Sequence, residues 1–185
     1  MREALNASRI AAFSDGVFSV AITLLAFGLH VPDDKTPLAS QLHNHAADYS
    51  IAFVSFVLVG IKWLNHHRVF GRITSVDTTL ISLNLLLLMG ITTVPFATAL
   101  LATHVGTTDA ALASLIYGLL WAINGWLYAA IARRGTGRVS ALWVLAPLGY
   151  VVGGALGYLN VYLAIALYLI LALLFVAPER AERNS

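Results

Sequence analysis

Cysteine is missing altogether. That excludes disulfides, thiolate metal sites, iron–sulfur ligation and a cysteine nucleophile, and leaves the redox compartment open. Charge is scarce too, at 11% of residues against roughly 25% in soluble chains. Lys and Arg number 11 and Asp and Glu 9, so the net charge of +2 is too small and too scattered for a nucleic-acid surface. Enzyme signatures are also lacking: no Gly-x-Ser-x-Gly elbow, no His-Glu-x-x-His, no phosphate-binding Gly-rich Lys loop and no paired carboxylates within an apolar run. No enzymatic activity and no cofactor are expected. The long apolar runs are abundant instead, and hydrophobic residues make up 59% of the chain. A water-soluble globule of 185 residues does not have that composition.

A helix needs about 20 apolar residues to cross roughly 30 Å of hydrocarbon. Six runs approach that length, approximately 9–30, 49–64, 78–102, 110–132, 140–158 and 161–176. They are rich in Leu and Ala and lack the alternation of a membrane β-barrel. The expected fold is therefore an all-α membrane protein, a single six-helix domain over residues 1–185. Because apolar runs recur to the C-terminus, the first is expected to be a membrane helix and not a cleaved signal. Pro32 to Lys35, Gly71 to Asp77, Gly106 to Asp109, Arg133 to Arg138 and Leu159-Asn160 separate the runs, with Asp109 placed as a helix N-cap.

Cytoplasmic loops retain Lys and Arg. With the N-terminus inside, Arg2, Arg9, Lys62, Arg68, Arg72, Arg133, Arg134, Arg138, Arg180 and Arg183 collect on the cytoplasmic side, and Lys35 alone lies outside. An even number of crossings with both termini in the cytoplasm divides the basic residues best.

Asp15, in Phe13-Ser14-Asp15-Gly16, sits about 9 Å deeper than Arg9 and needs a partner. Arg9 lies on a different face of the same helix, so the partner is expected from another helix. The segment Lys62-Trp63-Leu64-Asn65-His66-His67-Arg68 reaches the same depth, and Asn84 lies two turns inside Asp77. The expectation is a polar knot of Arg9, Ser14, Asp15, His66 or His67, and Asn84. Such a knot either fastens helices or carries ions or protons. Adjacent histidines point about 100° apart and no third ligand lies at suitable spacing, so no metal site is expected. Beyond the knot, Val20, Thr23, Leu24 and Phe27 form one stripe of the first helix. The stripe either packs inside the bundle or, in several copies, surrounds an axis as apolar rings with a hydroxyl ring between; spacing does not choose. Gly149, Gly153 and Gly157 favour close helix contact, while Pro95 and Pro147 favour kinks.

The run Arg9-Ile10-Ala11-Ala12-Phe13-Ser14-Asp15-Gly16 resembles the Arg-x-x-x-Phe-Ser-Asp-Gly signature of the transmembrane protein 175 family, endolysosomal potassium channels and their prokaryotic homologues. Trp63-Leu64-Asn65-His66-His67 with Phe70, and Asn84 followed by Pro95-Phe96, resemble that family's second and third helices. The resemblance covers residues 9–98. It implies a potassium-permeable channel in the prokaryotic cell membrane, built as a homotetramer whose first helix lines the pore. The pore-facing positions it implies are Val20, where family members commonly carry Ile or Leu, then Thr23, Leu24 and Phe27. K⁺ and H⁺ are the implied permeant ions, and lipids and other copies of the chain the implied partners. The competing reading is a proton-coupled transporter or proton-permeable channel that uses Asp15, His66 and His67 as a relay.

Overall fold

The computed structural model describes residues 7–174; Arg2, Arg180, Arg183 and the end of the last expected span lie outside the described residues. Seven helices and no strand occur among the described residues. They are α1 (Ala7–Phe27), α2 (Leu38–Asn44), α3 (Ala46–Phe70), α4 (Thr78–His104), α5 (Ala110–Thr136), α6 (Ala141–Leu156) and α7 (Val161–Leu174). α1, α3, α4 and α5 are long and apolar enough to cross a membrane. α6 and α7 are apolar but shorter, with 16 and 14 residues.

Local chemistry fixes several ends. Asp77 N-caps α4, its carboxylate accepting from Leu80 N at 2.8 Å. Asp109 takes the N-cap position of α5 without a side-chain capping bond. α5 stops at Gly137, whose φ of 72° suits the left-handed turn that returns its N–H to Arg133 O. α3 continues to Phe70, beyond the Leu64 expected from hydropathy, because the polar run 65–68 finds partners inside the bundle and at its end. The short α2 was not foreseen. It carries Gln41, a buried amide that accepts from Asp33 N and donates to Asp33 O and Thr36 O, holding the α1–α3 connection.

α5 is the central helix: it packs on α3, α4, α6 and α7. Glycines permit the closest approaches. A Cβ on Gly118 would lie 2.4 Å from Tyr150 O, one on Gly153 2.5 Å from the Tyr168 ring, and one on Gly157 2.5 Å from Ser114 Cβ. One apolar core gathers Phe18, Val59, Ile91, Tyr117, Trp121 and Tyr168; a smaller one near Arg134 gathers Phe70, Leu80, Leu87, Tyr128 and Ile131. α1 is different. It packs on α3 and α4 and touches neither α5, α6 nor α7.

Candidate functional site

The two faces of α1 have opposite environments. Ser14, Phe18, Ala21 and Leu25 are buried against α3 and α4. Phe13, Gly16, Val20, Thr23, Leu24 and Phe27 are exposed, and Phe27 keeps 86% of its accessible surface. Among the described residues no helix covers them. Thr23 Oγ1 donates to Val20 O at 2.8 Å, which spends its hydrogen and leaves its oxygen lone pairs available outward.

On the buried face a directed chain of hydrogen bonds joins three helices. Asn84 Oδ1 is only an acceptor, so His66 Nε2–H donates to it, at 2.8 Å. Asn84 Nδ2 donates to Ser14 Oγ at 3.0 Å, and Ser14 Oγ donates to Ile10 O at 2.9 Å. That tautomer leaves Nδ1 of a neutral His66 bare, and Nδ1 is buried without a partner. The ring is held between Phe70, stacked at 4.2 Å between centroids, and Phe18, tilted at 5.4 Å.

Asp15 lies one residue on, turned about 100° from Ser14. It faces α3, where Trp63 Nε1 donates to Asp15 Oδ1 at 2.8 Å. The expected knot is thus two separate contacts. Ser14, Asn84 and His66 form one, and Asp15 with Trp63 forms the other. Arg9 is exposed and bonds to none of them, while His67 is exposed and reaches only the Trp63 ring, at 5.9 Å between centroids. Trp63 and His66 both meet α1, Trp63 through Asp15 and His66 through Phe18; His67 lies on the other side of Trp63 and is exposed.

A second polar cluster had no sequence signal, since it draws single hydroxyls from three helices. Tyr117 OH and Thr98 Oγ1 lie 2.9 and 2.8 Å from Ser55 Oγ, and Ser55 Oγ donates to Ile51 O. At the far end of α1, a cavity of about 510 Å³ is bordered by Leu24, Leu25, Gly28, His30, His45 and Asp48. There the His30 and His45 rings stack at 3.9 Å, and His45 Nδ1 lies 2.7 Å from Asp48. Among the described residues no group of three or more His, Asp or Glu is placed to hold a metal.

At the opposite end Asp77, the N-cap just before α4, accepts from Arg134 Nε in the last turn of α5 at 3.0 Å and from its terminal nitrogen. The Arg134 guanidinium, helped by Leu80 N–H, holds the Asp77 carboxyl below the usual carboxylate range.

The model of the endosomal/lysosomal potassium channel TMEM175 family matches residues 9–95. A potassium channel of Chamaesiphon minutus is 34% identical, the alignment covering 97% of this chain and 98% of that one. The chain belongs to the TMEM175 family. A potassium channel of Streptomyces collinus is 35% identical, over 92% of this chain and 91% of the relative. The crystal structure of a lysosomal potassium-selective channel TMEM175 homolog from Chamaesiphon minutus superposes with a TM-score of 0.83 at 32% identity, covering 92% of this chain and 96% of that one. A model of a family of unknown function also matches residues 103–135. The TMEM175 match contains α1 from Arg9, α3, and α4 as far as Pro95, and so both the Ser14–Asn84–His66 chain and the Asp15–Trp63 pair. This is a family of membrane ion channels, not of enzymes.

Proposed function

We propose that this protein is a potassium-permeable, moderately K⁺-selective channel of the cell membrane, in which four subunits surround a pore lined by α1. One observation carries the reading: among the described residues α1 packs on two helices, α3 and α4, and leaves Val20, Thr23, Leu24 and Phe27 uncovered. Exposure to lipid alone would not require the opposite face of the same helix to be fixed by a buried hydrogen-bond chain. A pore requires it, because the helix that sets the radius must not roll. The relatives named as potassium channels support the ion.

Six crossings place both termini in the cytoplasm, with Arg9, Arg68, Arg72, Arg133, Arg134 and Arg138 on the inner side, as the distribution of basic residues favours. Rings of Val20, Leu24 and Phe27 offer no ligands. A cation passing them must shed or squeeze part of its water shell, which costs K⁺ less than Na⁺. The Thr23 hydroxyl oxygens replace some of the lost water. Asp15, tied to Trp63, and Ser14, tied to Asn84, set the rotation of α1 and do not touch the ion at the constriction.

The test is cation flux and reversal potential in liposomes. Val20→Ala is expected to raise Na⁺ permeability relative to K⁺, and Thr23→Ala to lower the K⁺ preference. Unaltered reversal potentials in both variants would refute this pore register.

A further inference from the structure

The cavity of about 510 Å³ where α1, α3 and α4 meet takes no part in the polar contacts that seat α1. Its volume falls within the roughly 300–1,000 Å³ of small-molecule sites. On α4 its wall runs from Thr98 to Thr103, about 8 Å along the helix. The deeper wall, Ala52, Pro95, Thr98 and Ala99, is apolar but for one hydroxyl, and that hydroxyl is engaged with Ser55 Oγ and Val94 O. The mouth is polar. Asp48 supplies the one carboxylate among the lining residues, and no lysine or arginine is among them. His45 Nδ1–H donates to Asp48 Oδ2 at 2.7 Å, while Asp48 Oδ1 and the Asn44 amide have no partner among the described residues. Tyr49 OH donates to His30 O and so holds the His30 ring on His45, at the same mouth. Two helices end at this cavity, α1 at Phe27 and α4 at His104, with Gly28, Leu29 and Val105 in its wall. Helix C-termini carry partial negative charge. α3 begins there with the opposite sign, which Asp48 in its first turn offsets.

We propose that this cavity binds a small primary ammonium compound with a compact apolar body, the ammonium donating to Asp48 Oδ1 and the Asn44 amide oxygen and the body lying on Ala52, Pro95 and Ala99. Each part of the wall selects one part of the occupant. The carboxylate and the two C-terminal helix ends call for a cation, and the two spare oxygens call for N–H groups on it. The apolar depth calls for a hydrocarbon body, since a bare metal cation gains nothing from it. A carboxylate ligand would meet Asp48 with like charge. Leu24 lines the cavity and also belongs to the stripe proposed to line the pore, so an occupant is expected to slow cation flux. The binding itself does not depend on α1 lining a pore.

The experiment is calorimetric titration of the purified full chain in detergent with 2-phenylethylammonium, 2-phenylethanol and tetramethylammonium. The expected result is one 2-phenylethylammonium per subunit, bound about tenfold more tightly than the alcohol, the weight of a hydrogen bond to a charged group. Asp48→Asn should erase that preference, and replacing Na⁺ by K⁺ in the buffer should leave the affinity unchanged. No binding, or equal affinity of the ammonium and the alcohol for the unaltered protein, overturns the proposal however the variant folds. So does equal binding of tetramethylammonium, which has no N–H to donate, an undiminished preference in a folded Asp48→Asn protein, or competition by K⁺. Unaltered reversal potentials in the Val20 and Thr23 variants would refute the pore register and leave these affinities standing.

Discussion

Asn84 shows how much one residue decides in a bundle short of polar groups. It receives the His66 proton donor and supplies Ser14 with one, so it joins α1, α3 and α4 at a single point. Replacing it with Leu keeps the volume but strands a buried N–H on His66. Hydrogen bonds between membrane helices average about 0.6 kcal/mol, and a stranded donor adds its desolvation cost. Asn84→Leu is therefore expected to cost about 1–2 kcal/mol and to lower the melting temperature by roughly 3–6 °C, read by thermal unfolding in detergent. An unchanged melting temperature would remove the fastening role given to this chain. Asp77 acts at the surface and through pH. Its carboxyl is held low by Arg134, so the charged form is favoured in the folded protein and its contribution is full above about pH 4. As pH falls through the lowered native value, that contribution is lost. Stability measured against pH should show an acid limb below about pH 4 that is weaker in Asp77→Asn.

At the scale of helices, the second half of the chain is held by closeness and the first by polar contacts. α5 meets α6 where Gly118 leaves room for the Tyr150 carbonyl and Gly125 for the Pro147 ring. A methyl group on Gly118 would stand 2.4 Å from that carbonyl and 2.7 Å from the Tyr168 hydroxyl, so two helices must shift to admit it. Gly118→Ala should destabilise the protein by about 1–3 kcal/mol. Gly60→Ala, whose added Cβ meets nothing within 4 Å, is the matched control and should melt no lower than the unaltered protein. If both variants melt alike, the close α5–α6 contact is not what holds that half together. α1 has no such contact with α5, α6 or α7. It is seated by a hydroxyl, a carboxylate and one apolar face, which fix its rotation while leaving its other face free.

For the whole molecule, the uncovered stripe of α1 and the lack of cysteine combine into one measurement. Phe27→Cys introduces a single thiol at the proposed axis, and Leu142→Cys introduces one on the exposed surface of α6, away from it. Mild oxidation in membranes should link Phe27→Cys subunits in pairs and leave Leu142→Cys subunits largely monomeric on non-reducing gels. The reverse pattern would place α6 at the shared axis and α1 at the lipid boundary.

The amino-acid order alone determined the helical class, because runs of that length and apolarity have no other stable form in a bilayer. It also marked Ser14, Asp15, His66 and Asn84 as needing partners, since unpaired polar groups in hydrocarbon are costly. Only the tertiary structure decided which groups meet. Ser14 and Asp15 are neighbours in sequence, yet the helical turn sends one to Asn84 and the other to Trp63; Arg9 joins neither, and of the two candidate histidines His66 is the one that meets Asn84. Hydropathy stopped α3 at Leu64, because it scores residues 65–68 as polar without seeing His66 buried between Phe18 and Phe70. The Ser55–Thr98–Tyr117 cluster was invisible for the same reason, as each hydroxyl is unremarkable alone. A 3.6-residue period identifies a stripe but not its direction. Which face of α1 its own subunit covers was settled by packing against α3 and α4.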